Sequence, residues 1–181
     1  MNQAALPVTE QRLADWLAAL PDLPQAITPR ILDLGCGVAS SAVVMKHRWP
    51  AAHLIGIDLD GDTLRRTPRL ITVLQADGQA LPFRRAAFDL ILMRHPDVFR
   101  LPPSWAVIIA AADQWLTPGG YLLLTCYSLP EAQRIRAWLP SGDPCRDQPI
   151  DLQSGATAIV DAAGHDRYVF ARQSPNSTDK A

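Results

Sequence analysis

Cysteine is scarce and scattered, with only Cys36, Cys126 and Cys145 among 181 residues. Their odd number, wide separation and lack of any CxxC or Cys/His spacing argue against a disulfide framework and against zinc, so no metal is expected. The three read as reduced, small hydrophobes. An excess of one charge is missing too: 17 basic and 18 acidic side chains leave a formal net charge of -1. Nothing therefore resembles the basic footprint that neutralises phosphates, and no nucleic-acid partner is expected. Long hydrophobic runs are absent, since the stretches 105–112 and 121–126 fall well short of the ~20 residues a membrane-spanning helix needs. The opening MNQAALPVTEQR has no basic region followed by an apolar one. No signal peptide is read there, and a soluble, cytoplasmic protein with no membrane partner is the expectation. No internal repeat is found.

What is present is a chain with 48% hydrophobic residues, enough for one globular domain with a substantial core and cramped for two. Thr9 is placed to cap a first helix in which Leu13, Trp16, Leu17 and Leu20 recur at helical spacing. Pro21 and Pro24 stop it, and residues 21–29 form a proline-rich connector. From Arg30 onward, short apolar runs alternate with helical patterns. The runs 31–34, 54–57, 70–74, 88–93 and 121–125 predict strands, and most lack apolar/polar alternation, as strands buried on both faces do. Helices are expected at 40–49, 62–66, 104–116 and 131–139. The third carries an apolar stripe through Trp105, Ile108, Ile109, Ala112 and Leu116, and the last has Ser128 and Glu131 at capping-box spacing. After a turn-rich stretch ending at Pro149, segments 156–160 and 167–171 predict an antiparallel pair at one sheet edge. The expected fold is thus an α/β, doubly wound, mostly parallel sheet of about seven strands with an antiparallel edge pair and helices on both faces. The expected units are an N-terminal helix and connector (1–29), a main domain (30–173) and a polar, disordered tail (174–181).

Chemistry concentrates where strands are expected to end. In Ile31-Leu32-Asp33-Leu34-Gly35-Cys36-Gly37, a buried strand runs into a glycine turn, so the backbone can approach a ligand where open α/β sheets bind one. Leu54-Ile55-Gly56-Ile57-Asp58 ends the second strand in an acid, at about the spacing at which a carboxylate accepts both hydroxyls of a ribose. Alone, such an acid is often a helix cap. Asp77, after the third strand in Ala76-Asp77-Gly78-Gln79-Ala80-Leu81-Pro82-Phe83, could accept from an exocyclic amine; standing by itself it would be a turn-initiating Asp-Gly.

These segments together resemble the class I S-adenosylmethionine-dependent methyltransferases. ILDLGCG is similar to that family's first motif, IGIDLD to its acidic second, ADGQALPF and FDLILM to its third and fourth, and LTPGGYLLL to its last. The likeness covers roughly residues 30–127, with the motifs in order at fitting separations. It implies a Rossmann-like fold and S-adenosylmethionine as cofactor. By the resemblance Asp33, Gly35, Cys36 and Gly37 would line the methionine and ribose part, Asp58 would hold the ribose hydroxyls, Asp77 the adenine amine, and Leu59 and Gly78 would flank the adenine ring. Two departures stand out: Ala39 replaces a glycine common in the family, and the crossover between Asp58 and Leu70 has room for barely two helical turns.

Methyl transfer from a sulfonium needs alignment and exclusion of water more than a catalytic group. The loop Met93-Arg94-His95-Pro96-Asp97-Val98 lies where the family presents its acceptor. His95, an imidazole, is a possible base, with Arg94 orienting an anionic or carbonyl-bearing acceptor. The plainer alternative is a turn fixed by Pro96 whose two polar side chains point into solvent. Amino-methylating members often carry Asn or Asp, Pro-Pro and an aromatic here, so a small-molecule acceptor leads. With few segments to cover it, the acceptor pocket is expected to be shallow unless a homodimer or another partner completes it. Two rivals remain: an NAD-dependent oxidoreductase, disfavoured by Ser40 where that fingerprint ends in glycine or alanine, and a cofactor-binding or partner protein of this fold without activity.

Overall fold

The computed structural model describes residues 8–20, 22–25, 27–139, 148–149 and 168–174. Five strands run parallel: β1 (Arg30–Leu34), β2 (His53–Asp58), β3 (Thr72–Gln75), β4 (Phe88–Arg94) and β5 (Leu116–Cys126). Antiparallel to β5 lies β7 (Tyr168–Gln173), which also pairs with β6 (Gln148–Pro149). The order across the sheet is β3-β2-β1-β4-β5-β7-β6, so β1 has β2 on one side and β4 on the other. That reversal is the switch point at which open α/β sheets bind ligands.

The central apolar runs of the sequence become strands covered on both faces, with every residue of β4 from Phe88 to Met93 buried, while β3 at the sheet edge is mostly exposed. On one face, Leu13, Trp16 and Leu17 of α1 (Val8–Ala19) and Ala42, Val44 and Met45 of α2 (Ser41–Arg48) pack on Ile31, Leu54, Leu90, Leu92 and Leu123. On the other, Ile108, Ile109 and Ala112 of α4 (Pro102–Trp115) and Ala132 and Ile135 of α5 (Leu129–Trp138) pack on Leu32, Leu34, Ile91, Met93, Leu122 and Leu124. Burying each of the Leu, Ile, Val and Met side chains stabilises the fold by about 1.5–3 kcal/mol. The capping box at Ser128 and Glu131 is formed, with the helix starting two residues earlier than expected because Pro130 fits its first turn.

Several boundaries differ from expectation. Thr9 lies inside α1, which is already helical at Val8, and so does not cap it. β3 starts at Thr72, because Leu70 and Ile71 precede the ladder with β2. β5 begins at Leu116, five residues early: Phe88 pairs with Leu116 and Leu90 with Tyr121, so Pro-Gly-Gly is a bulge within the strand. The partner of β7 is Gln148–Pro149, within the stretch expected to be turns; segment 156–160 lies outside the described residues. Ser174, expected to open the tail, exchanges backbone hydrogen bonds with Gly119 and Gly120; the rest of the tail lies outside the described residues. The crossover helix α3 (Gly61–Leu64) is a single turn, capped by Asp60. Among the described residues no helix is long and apolar enough to cross a membrane.

Candidate functional site

The carboxyl ends of β1, β2 and β3 bring the three acids expected from the sequence to one rim. Gly35 and Gly37 have φ of 70° and 55°, the left-handed conformation that lets the chain turn sharply off β1. The turn is pinned to β2: the N–H groups of Gly35 and Cys36 both donate to the Ile57 carbonyl, at 2.8 and 3.0 Å. Gly37 N–H then donates to Asp58 Oδ2 at 2.8 Å, and Asp60 N–H to Asp58 Oδ1 at 2.9 Å. The Asp58 carboxylate is thereby fixed in orientation, and each oxygen keeps lone-pair capacity for a hydroxyl donor. A side chain built at Gly37 would meet nothing within 4 Å, so the space above the turn is open.

Asp77 follows β3 beside this rim, since Ala76 N–H donates to the Asp58 carbonyl at 3.1 Å. Its exposed carboxylate accepts from Gln79 N–H at 2.9 Å and caps the short 3-10 helix Gly78–Ala80. Leu59 is 60% exposed on the same edge. Gly78 faces α4: a Cβ there would stand 2.8 Å from Ile108 Cδ1. Trp105 comes over the glycine turn in the same way, its Cη2 at 3.2 Å from where a Gly35 Cβ would be. Sequence reasoning assigned Trp105 and Ile108 only to the core stripe; two glycines that take a helix at close range are legible only in three dimensions.

Asp33 is 2% exposed, inside β1, and accepts a hydrogen bond from the Ser41 hydroxyl. Burial pushes its carboxyl up to about 6, against the lowering effects of Ser41 and of the Arg94 charge. Burial and the charges of Asp33 and Asp58 push the Cys36 thiol up to about 12, which keeps it protonated and unreactive. Ala39, at the position of the missing glycine, has φ of 53° and is fully buried in the core, so its methyl points inward rather than into the cleft.

Arg94 and His95 diverge. Arg94 ends β4 one residue beyond the Leu34–Met93 pairing, level with Gly35, and its Nη1 donates to Glu10 Oε2 of α1 at 2.9 Å. The same nitrogen lies 3.5 Å from Ser40 Oγ. His95 has φ of 51°, donates its N–H to the Thr125 carbonyl at 2.9 Å, and stacks its ring on Tyr127 with centroids 3.8 Å apart. Neither Glu10 nor Tyr127 carried a signal in the sequence. Among the described residues no group of three or more His, Cys, Asp or Glu could hold a metal ion.

Comparison with known proteins bears on the family and the fold. A family model described as a methyltransferase domain matches residues 31–120, the stretch from β1 into the β5 bulge, including the Asp77 segment that a dinucleotide fingerprint leaves out. A fatty-acid O-methyltransferase of Mycolicibacterium smegmatis is 32% identical over 120 residues, covering 61% of this chain and 43% of the relative. A trans-aconitate 2-methyltransferase of an Azoarcus species is 33% identical over 113 residues, covering 61% of this chain and 42% of the relative. The chain thus spans less than half the length of these two relatives. Among solved structures, an S-adenosylmethionine-bound amino pentose methyltransferase from Micromonospora echinaspora superposes with a TM-score of 0.53 at 25% identity, over 71% of this chain and 54% of the other.

Proposed function

Because the chain belongs to the class I S-adenosylmethionine-dependent methyltransferase family, we propose that it binds S-adenosylmethionine at the carboxyl ends of β1, β2 and β3 and transfers its methyl group to a small molecule. The observation that carries this reading is the rim itself: Asp33, Asp58 and Asp77 at three neighbouring strand ends around a glycine turn that is open above Gly37.

The residues present fit the group. Asp58, oriented by two backbone N–H donors, accepts from the ribose hydroxyls; Asp77 accepts from the adenine amine; Leu59 and Gly78 flank the ring, with Ile108 behind Gly78. Asp33, Gly35, Cys36 and Gly37 line the methionine and ribose part. The cofactor supplies an electrophilic methyl group on a sulfonium. The chain's share of the work is alignment and the exclusion of water. At the acceptor side, His95 is the group placed to take a proton, its ring orientation set by the stack on Tyr127. Arg94, expected to orient an acceptor, is engaged by Glu10 instead. A small-molecule acceptor is supported by relatives named for a fatty acid and for trans-aconitate. A cytoplasmic location is in keeping with two buried free thiols, Cys36 and Cys126.

Two measurements test the reading. Calorimetry with S-adenosylmethionine should show binding that Asp58→Ala weakens by about 1.5–3 kcal/mol, the loss of a charged acceptor to two hydroxyls. Methyl transfer to a panel of small molecules should fall at least about tenfold in His95→Ala with cofactor affinity intact. No cofactor binding by the wild-type chain overturns the site, and binding without turnover on any acceptor overturns the activity.

A further inference from the structure

The N-terminal helix brings a carboxylate to the site that nothing above uses. Glu10 lies in the first turn of α1, with its side chain 8% exposed against 14% for Arg94, to which it is bound at 2.9 Å. Asp33, Arg94 and Thr125 share one face of the sheet, because the ladder pairs Asp33 with Leu92 and Arg94 with Thr125, and alternate residues of a strand face the same way. It is the face that α1 and α2 cover. At its carboxyl rim are therefore gathered Glu10, Asp33, Arg94, Ser40 and the Thr125 hydroxyl, which is buried and finds no hydrogen-bond partner among the described residues. Asp58 stands close enough to act on Asp33 through its charge, as do Glu10 and Arg94.

Of the groups just named, three are carboxylates and one a guanidinium, and Glu10 and Asp33 are buried, where charges are felt strongly. A buried charge excess of this kind favours an opposite charge brought by a ligand. The cofactor carries a sulfonium and an ammonium against one carboxylate, a net positive charge. Its demethylated product is a thioether and has lost the sulfonium, so it is neutral overall. We infer that Glu10 is a specificity-determining residue of the cofactor site: its carboxylate, held against Arg94 beneath α1, tips the methionyl end of the cleft toward the charged cofactor and away from the neutral product. Release of product after transfer is the step this eases. The inference rests on the cofactor site proposed above.

The test breaks the same ion pair from either end. Glu10→Gln removes a negative charge and Arg94→Gln a positive one, while both delete the same contact between α1 and β4. Calorimetry with S-adenosylmethionine and with its demethylated product, at one pH near 7.5, gives the preference for one over the other. In Glu10→Gln that preference should fall by on the order of three- to tenfold, and in Arg94→Gln it should rise. Glu10→Asp, which restores the charge, should recover most of the wild-type preference. If α1 is merely anchored by the pair, both variants move both affinities in the same direction and leave the ratio unchanged, which overturns the inference while the site stands. If the wild-type chain binds neither compound, the site itself falls and the inference with it. Should Arg94→Gln fail to fold, the Glu10→Gln and Glu10→Asp pair decides alone.

Discussion

Two buried carboxylates stand in neighbouring strands at opposite ends of the sheet, and their surroundings differ. Asp89, at the amino end of β4, is 0% exposed. It accepts Arg30 N–H at 2.9 Å and the Thr117 hydroxyl at 3.0 Å. The Arg30 Nε lies 3.5 Å away, close enough for an ion pair though without hydrogen-bond geometry. Asp33, near the carboxyl end of β1, is as deeply placed but accepts one hydroxyl and is pushed up to about 6 by burial. The first carboxylate ties the start of β1 and the β5 bulge to β4, which is structural work. The second has the Ser41 hydroxyl as its donor, at the rim where the cofactor is proposed to bind. A fully satisfied buried network rigidifies, whereas a partly satisfied one holds unfavourable free energy that a ligand can relieve.

The largest test of this contrast is Asp89→Ala. It leaves a buried guanidinium edge, a backbone N–H and a hydroxyl without their acceptor, and should destabilise the fold by about 3–5 kcal/mol in urea unfolding. A loss below about 1 kcal/mol would mean that Asp89 is not the anchor described.

Asp33 should behave in the opposite sense. Its carboxyl is held above the ordinary value of 3.8, near 6, so the folded chain binds that proton more tightly than the unfolded one. Its favourable contribution is therefore complete below about pH 4 and is lost as pH rises through about 6, a fall of up to about 3 kcal/mol. Asp33→Asn should flatten this slope and raise stability at pH 7.5 by about 1–3 kcal/mol, even as cofactor binding suffers. Unfolding free energies from pH 4 to 8 for the two chains check it; parallel curves would put Asp33 on the same footing as Asp89.

The smallest effect is expected at Ala39, held at φ of 53° with its methyl buried. Ala39→Gly relieves a left-handed alanine but removes a packed methyl and loosens the unfolded chain, for a net gain of about 1 kcal/mol or less. Thermal unfolding measures it, and a clear loss of stability would show that packing outweighs strain there.

The site's frame was legible in the sequence because its parts are local. Strands buried on both faces read as unbroken apolar runs, the glycine turn and Asp58 directly follow two of them, and Asp77 comes soon after the run 70–74. What escaped depends on distant partners. Glu10 meets Arg94 across 84 positions, and Arg30 meets Asp89 across 59. Asp89 is the one polar residue of FDLILM, and nothing near it in sequence points to its partners. The start of β5 was hidden because Thr-Pro-Gly-Gly has turn composition; only the assembled sheet shows that a Cβ at Gly120 would stand 3.0 Å from the Asp89 and Thr117 carbonyl oxygens. Arg94 and His95 were found as neighbours, yet adjacency says nothing of direction: one turns to α1 and the other to Tyr127.

The single-turn crossover α3 leaves one edge of the sheet open. With so little chain between β2 and β3, the outermost strand is left thinly covered: Thr72, Leu74 and Gln75 are exposed, and Leu70 and Leu74 are 43% and 47% exposed. An open edge with apolar side chains is a template for further strands. Arg65, Arg66 and Arg69, all exposed, stand just before it, Arg65 paired with Asp62, and charges flanking an apolar edge discourage strand addition. Protection of this kind is electrostatic rather than steric, so added salt shortens its reach.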